Sequence, residues 1–177
     1  MSYDREKLLI FLKNINILYE EFSHEKLFTV EQSKKLRGKI KGRHTKNLFL
    51  KNKKNEFFLL SCAEEKIINL KKLRIVLETK SLSFASHNHL NEILNIKPGS
   101  VSPFGLINDI ENKTKFFLDE DLLKSKTVNF HPLLNNFTLN ITINDFIKFL
   151  KEINVEINII NLMEYVIIET NGKYIKS

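Results

Sequence analysis

"GRHTKNLFLKNKKNEFFLLSC", residues 42–62, decides how this chain folds. Two apolar runs, "NLFL" at 47–50 and "FFLLSC" at 57–62, flank a turn rich in Lys and Asn, and this pattern predicts a β-hairpin. Cations fence the first run on both sides, and Lys46 stands at its entrance. By residue type alone, such a lysine is either a solvated stem and charge or a cation kept for a ligand.

Outward from the hairpin the pattern alternates between helix and strand. Leu8, Phe11, Leu12 and Ile15 recur at helical spacing behind Asp4 and Glu6, which favour a helix start. Ile17, Tyr19 and Phe22 alternate as in a strand, and "TVEQ" at 29–32 is a capping box opening a short helix that Gly38 ends. Leu70, Leu73 and Leu77 form another helical face, "LSFA" at 82–85 a strand, and Ser86 the N-cap of a helix carrying Leu90, Ile93 and Leu94. After the tight turn "KPGSVSP" at 97–103, "FGLI", "KFFLD" and "TVNFH" predict short buried strands. Thr142 caps a helix bearing Phe146, Ile147, Phe149, Leu150 and Ile153, and "VEINII" and "MEYVIIET" add two strands. With no repeat and no linker, residues 1–177 are expected to form one α+β domain, its sheet made largely of hairpins and flanked by helices, with 154–177 as a strand-rich extension.

A chain of 177 residues can bury a substantial core, and 42% hydrophobic with 28% charged residues is ordinary for a folded soluble protein. No apolar run approaches the ~20 residues of a membrane span, and "MSYDREKLLIFL" is an amphipathic mixture, not a signal peptide, so a cytoplasmic location is expected. The single cysteine, Cys62, reads as a small buried hydrophobe. The net charge of +7 is concentrated: between Lys34 and Lys54 there are ten Lys or Arg residues and no Asp or Glu. That run is either a solvated basic hairpin or a contact surface for phosphates, with Lys39, Lys41, Arg43, Lys51 and Lys53 the candidates to touch nucleic acid.

The P-loop, GxGxxG, HExxH, CxxC and GxSxG motifs do not occur. His87 and His89 are two apart, a spacing that does not share one face of a helix, so no metal pair and no cofactor are expected. His131, before Pro132 at a strand end, reads as a structural histidine, and Asp119, Glu120 and Asp121 as the acidic start of a helix. "PGSVSP" at 98–103 is either a plain turn or a loop that presents consecutive N–H groups to a carbonyl or phosphate oxygen.

The motifs "FTVEQSKKLRG…GRHTKNLFLKNKK…FFLLSC", "LSFAS…KPGSVSPFGLIND" and "HPLLNNFT", in this order over about Leu8 to Ile153, resemble the ProX and YbaK group of aminoacyl-tRNA deacylases. These are free-standing relatives of the editing domain inserted in bacterial prolyl-tRNA synthetases, and the chain is most similar to the ProX branch. The resemblance implies a mixed, largely antiparallel and strongly curved sheet flanked by helices. It also implies hydrolysis of the ester of mischarged alanyl-tRNA(Pro), with tRNA as partner and prolyl-tRNA synthetase as a possible second. Lys46 falls where the family keeps its functional lysine, and Gly99, Ser100, Val101, Ser102 and Pro103 on its Gly-x-x-x-Pro loop. On that basis Lys46, Gly99, Ser100, Val101 and, in a supporting role, His131 are assigned to catalysis. Thr45, Asn47, Ser102, Pro103 and Phe104 are assigned to the substrate. The alternatives are a deacylase of cysteinyl-tRNA(Pro) or another mischarged tRNA, and a non-catalytic tRNA- or synthetase-binding module.

Overall fold

The structure is a computed structural model that describes residues 2–25 and 40–171, together with the backbone of 173–174. The "TVEQ" helix start, Gly38 and Lys39 lie outside the described residues.

Helix α1 (Arg5–Asn14) starts where Asp4 accepts a hydrogen bond from the Lys7 amide, and it leads to β1 (Tyr19–Ser23). The predicted hairpin forms: β2 (Arg43–Lys51) pairs antiparallel with β3 (Phe57–Ala63). Then follow α2 (Leu70–Val76), the two-residue β4 (Ser83–Phe84) and α3 (His87–Leu94), whose cap Ser86 engages His89. Pro103–Asn108 is a 3-10 helix, and this corrects the strand expected for "FGLI". Pro103 occupies its first turn and the Ser102 hydroxyl accepts from the Phe104 amide, so the local chemistry is that of a capped helix start. Strand β5 (Thr114–Asp119), the short α4 (Glu120–Leu123), β6 (Thr127–Phe130), β7 (Phe137–Thr142), α5 (Ile143–Glu152), β8 (Ile157–Asn161), β9 (Val166–Thr170) and β10 (Lys173–Tyr174) complete the chain.

The strands form one open mixed sheet in the order β1-β7-β6-β2-β3-β5-β8-β9-β10, with β4 on β2. β2–β3, β6–β7, β8–β9 and β9–β10 are hairpins and β1 pairs antiparallel with the distant β7, but β2 runs parallel to β6, and β3, β5 and β8 run parallel to one another. The β2–β3 hairpin thus sits in the middle of the sheet between pairings made by crossovers, β6 with β2 and β3 with β5 and β8, and parallel strands need cover on both faces. All seven residues of β3 are accordingly buried.

The alternation of β2 and β3 divides the core. Phe49, Phe57 and Leu59 face a cluster with Leu8 and Leu12 of α1, Leu90 and Leu94 of α3, and Phe146, Phe149 and Leu150 of α5. Leu50, Phe58, Leu60 and Cys62 face a second cluster with Leu73 of α2 and with Ile160 and Leu162. Phe104 centres the first cluster, edge-on to Phe130, Phe146 and Phe149 at centroid distances of 6.0, 6.4 and 5.0 Å. Each such buried ring or aliphatic side chain contributes about 1.5–3 kcal/mol relative to exposure.

Candidate functional site

The two faces of β2 carry different chemistry. Thr45 and Asn47 lie on the Phe49 face; Lys46 lies on the Leu48 and Leu50 face. Asn47 donates from Nδ2 to the carbonyl of Val101 at 3.0 Å and accepts at Oδ1 from the Ser61 hydroxyl at 2.7 Å, so it ties the 98–103 loop to the β2–β3 hairpin. Thr45 donates to the carbonyl of Asn129 at 2.7 Å and ties the same end of β2 to β6.

The loop is shaped by Gly99, at φ +85°, and by the turn bond from the Ser100 amide to the Lys97 carbonyl. Ser100 and Ser102 are buried, with exposures of 3% and 0%, while Val101 is half-buried between them. The Gly105 amide takes the Ser102 carbonyl, and the Phe104 amide takes its hydroxyl. The amides of Val101 and Ser102 have no acceptor among the described residues. Val101 is the half-buried one of the two, so its N–H is the group on this constrained loop that can receive an oxygen carrying negative charge. Pro103 and Phe104 are buried in the core, and Phe104 has 0% exposure. Aromatic packing buries the Phe104 ring, and both residues support the loop from behind.

Lys46 is directly opposite Cys62 in register, and its ammonium donates to the main-chain carbonyl of Lys66. Lys66 in turn donates to Asp119 Oδ1 at 2.7 Å and lies 2.6 Å from Asp121 Oδ2. Burial opposes the charge on Lys66, but the hydrogen bonds to Asp119 and Asp121 outweigh it and raise the ammonium above its ordinary value. Hydrogen bonds from Lys124 first, and Lys66 second, hold the Asp121 carboxyl down at about 2. Burial pushes the Cys62 thiol up to about 12 against the pull of Lys46 and Lys66, so it is a protonated core residue and no nucleophile. Thus the structure joins Asn47 to the Val101 loop and joins Lys46 to a charged cluster on the other face of the strand. Only the helix-start role of Asp119 was legible in the sequence, because the 53-residue separation of Lys66 from Asp119 leaves no local signal.

His131 follows β6 and pairs through Nδ1 with the Phe137 carbonyl at 2.7 Å. A carbonyl only accepts, so Nδ1 carries the proton and the neutral ring keeps Nε2 as an acceptor. Burial pushes the imidazole below its ordinary value, with His24, 6.0 Å away between centroids, adding to the effect. The basic run divides along β2. Lys41 and Arg43 stand at the Thr45 end, where they share a groove with Glu20, Lys126, Thr127 and Asn140. Lys51 and Lys53 stand at the hairpin tip, about 26 Å away for eight residues of strand. Lys126 has no place in the sequence patch; the parallel pairing of β6 with β2 brings it there.

Among the described residues no helix is long and apolar enough to cross a membrane. The family model of the aminoacyl-tRNA editing domain matches residues 24–149. The chain is 34% identical over 150 residues to the prolyl-tRNA synthetase associated domain-containing protein 1 of Danio rerio, covering 84% of this chain and 82% of that protein. It is 30% identical over 153 residues to the prolyl-tRNA editing protein ProX of Acetoanaerobium sticklandii, covering 85% and 93%. The crystal structure of a candidate trans-editing enzyme for prolyl tRNA synthetase superposes with a TM-score of 0.66 at 17% identity, covering 89% of this chain and 96% of that one, and so shares its fold. Through the domain match across 24–149 and these relatives, the chain belongs to the aminoacyl-tRNA editing domain family.

Proposed function

We propose that the protein is a trans-editing deacylase that hydrolyses the ester of mischarged alanyl-tRNA(Pro) in the cytoplasm, with the acceptor end of that tRNA as its partner. The observation that carries this reading is the Val101 loop, held by Asn47, with the amides of Val101 and Ser102 unpaired among the described residues. Water adds to the ester carbonyl; the carbonyl oxygen becomes an oxyanion, and collapse releases alanine and the tRNA ribose hydroxyl. The amide of Val101, the half-buried residue of this loop, receives the oxyanion, an interaction that strengthens as charge develops. The free ribose hydroxyl beside the ester orients the water. His131 supports the site as a neutral acceptor, and Lys46, on the face of β2 opposite the Val101 loop, holds phosphate oxygens of the tRNA with the two ammonium protons that the Lys66 carbonyl leaves free.

Alanine is assigned because Val101 occupies the middle of a loop fixed at Gly99 and at Asn47. A methyl group is accommodated by such a wall, whereas a proline ring would have to displace it. A pocket that merely prefers one methylene discriminates by only ~1–3 kcal/mol, so rigid exclusion is the stronger device. The test is kcat/KM for alanyl, prolyl, seryl and cysteinyl esters on one proline tRNA. The alanyl ester is expected to be cleaved fastest, the seryl ester partially and the prolyl ester least. Equal rates for alanyl and prolyl esters would refute the assignment, and a preference for cysteine would move the protein to the cysteinyl branch.

A further inference from the structure

The charged cluster on the Lys46 face joins elements that are distant in the chain. Lys66 follows β3, Asp119 ends β5 and caps α4, and Asp121 lies in the first turn of α4. The Lys66 ammonium spans both carboxylates at 2.7 and 2.6 Å; its side chain is 17% exposed and that of Asp119 0%. Asp119 Oδ2 also accepts from the Ala63 amide at 3.4 Å, which fastens the end of β3 to the same carboxylate. The segment whose carbonyl receives the Lys46 ammonium is therefore held at both of its ends.

We propose that Lys66 and Asp119 are positioning residues for deacylation: they fix the 63–66 segment, and the carbonyl of Lys66 orients the ammonium of Lys46 toward the substrate. This rests on the reading of Lys46 as a functional cation. A flexible four-carbon stem loses rotamer freedom when its charge is held, and one fixed carbonyl acceptor supplies the direction while leaving two protons for the substrate. A backbone acceptor performs this task where a carboxylate would not. A carboxylate bound to Lys46 would cancel the charge that the tRNA phosphates are meant to meet, whereas a carbonyl orients the ammonium and leaves its charge available. Asp119 and Asp121 instead spend their charge on Lys66, one step removed.

The experiment has two readouts in each variant. One is deacylation of alanyl-tRNA; the other is the reactivity of Lys46 toward reductive methylation, located by mass spectrometry on the full-length folded protein. In Lys66→Met, kcat/KM is expected to fall ~10- to 100-fold, as misplacement near 1 Å does at a reacting centre. Lys46 should be methylated several-fold faster, because the segment that holds it is released. Lys66→Arg, which can still reach both carboxylates, should restore both values toward wild type, and Asp121→Asn serves as a milder variant should Lys66→Met fail to fold. Unchanged Lys46 reactivity in a folded Lys66→Met protein would overturn the proposal. If reactivity rises while Lys46→Ala itself keeps full activity, the functional reading of Lys46 fails and the positioning role falls with it.

Discussion

At Lys46 a single side chain separates two kinds of contribution. It is half-buried beside the second core and adds little apolar area, so Lys46→Ala should leave the melting temperature nearly unchanged. Deacylation should fall by ~10- to 100-fold, the range for loss of a contact that positions the substrate at the reacting centre. Turnover measured beside thermal melting checks this, and an active, folded variant would remove Lys46 from the site. His131 gives a second prediction. Its folded value lies below the ordinary one, so the unfolded chain takes up the proton first. The stability of the neutral ring is complete above about pH 6.5 and is lost as the pH falls through 6.5 toward the folded value. Melting curves from pH 7.5 to 5 should therefore show a shallower loss for His131→Gln than for wild type; parallel curves would show that the ring is not held neutral.

At the level of elements, the backbone before β2 is as constrained as the Val101 loop. Gly42 has φ +90°, and a Cβ there would lie 2.4 Å from Thr127 Oγ1 and 2.5 Å from Asn140 Nδ2. Asn129 and Asn140 both donate to the Lys41 carbonyl, so the neighbours cannot withdraw without losing hydrogen bonds. Strain and overpacking together should make Gly42→Ala less stable by about 2–4 kcal/mol, a drop in Tm on the order of 10 °C. A Tm within one or two degrees of wild type would contradict this close packing. The 3-10 helix that replaces the expected "FGLI" strand follows from similar local chemistry, since Pro103 and the Ser102 cap favour a helical turn over an extended run.

For the whole molecule the decisive quantity is where the charges meet. Removing the cations of Lys41, Arg43 and Lys126 by alanine should weaken tRNA binding and reduce the slope of log K against log salt by about 2–3, at ~0.9 per duplex phosphate contact. The same change at Lys51 and Lys53, at the far end of β2, should leave the slope almost unaltered, and the reverse result would move the tRNA to the hairpin tip. This division also marks what the sequence could disclose. The hairpin, the caps at Asp4, Ser86 and Thr142, and the helical faces were legible, because each is encoded within a few neighbouring residues and the structure forms them there. The separated motifs between residues 28 and 138 together likewise sufficed to identify the family, since each is a continuous run and they occur in a consistent order. The sequence by itself thus determined the local elements, the family and the residue types offered for chemistry. Only the tertiary structure decided that β2 runs parallel to β6 and β3 to β5 and β8, that Lys126 joins Lys41 and Arg43, that Asn47 holds Val101, and that Lys46 leans on the Lys66 cluster. The physical reason is that hydrophobic periodicity specifies which face of an element is buried but not which partner covers it. Partners such as Asn47 and Val101, 54 residues apart, meet through crossovers that leave no pattern along the chain.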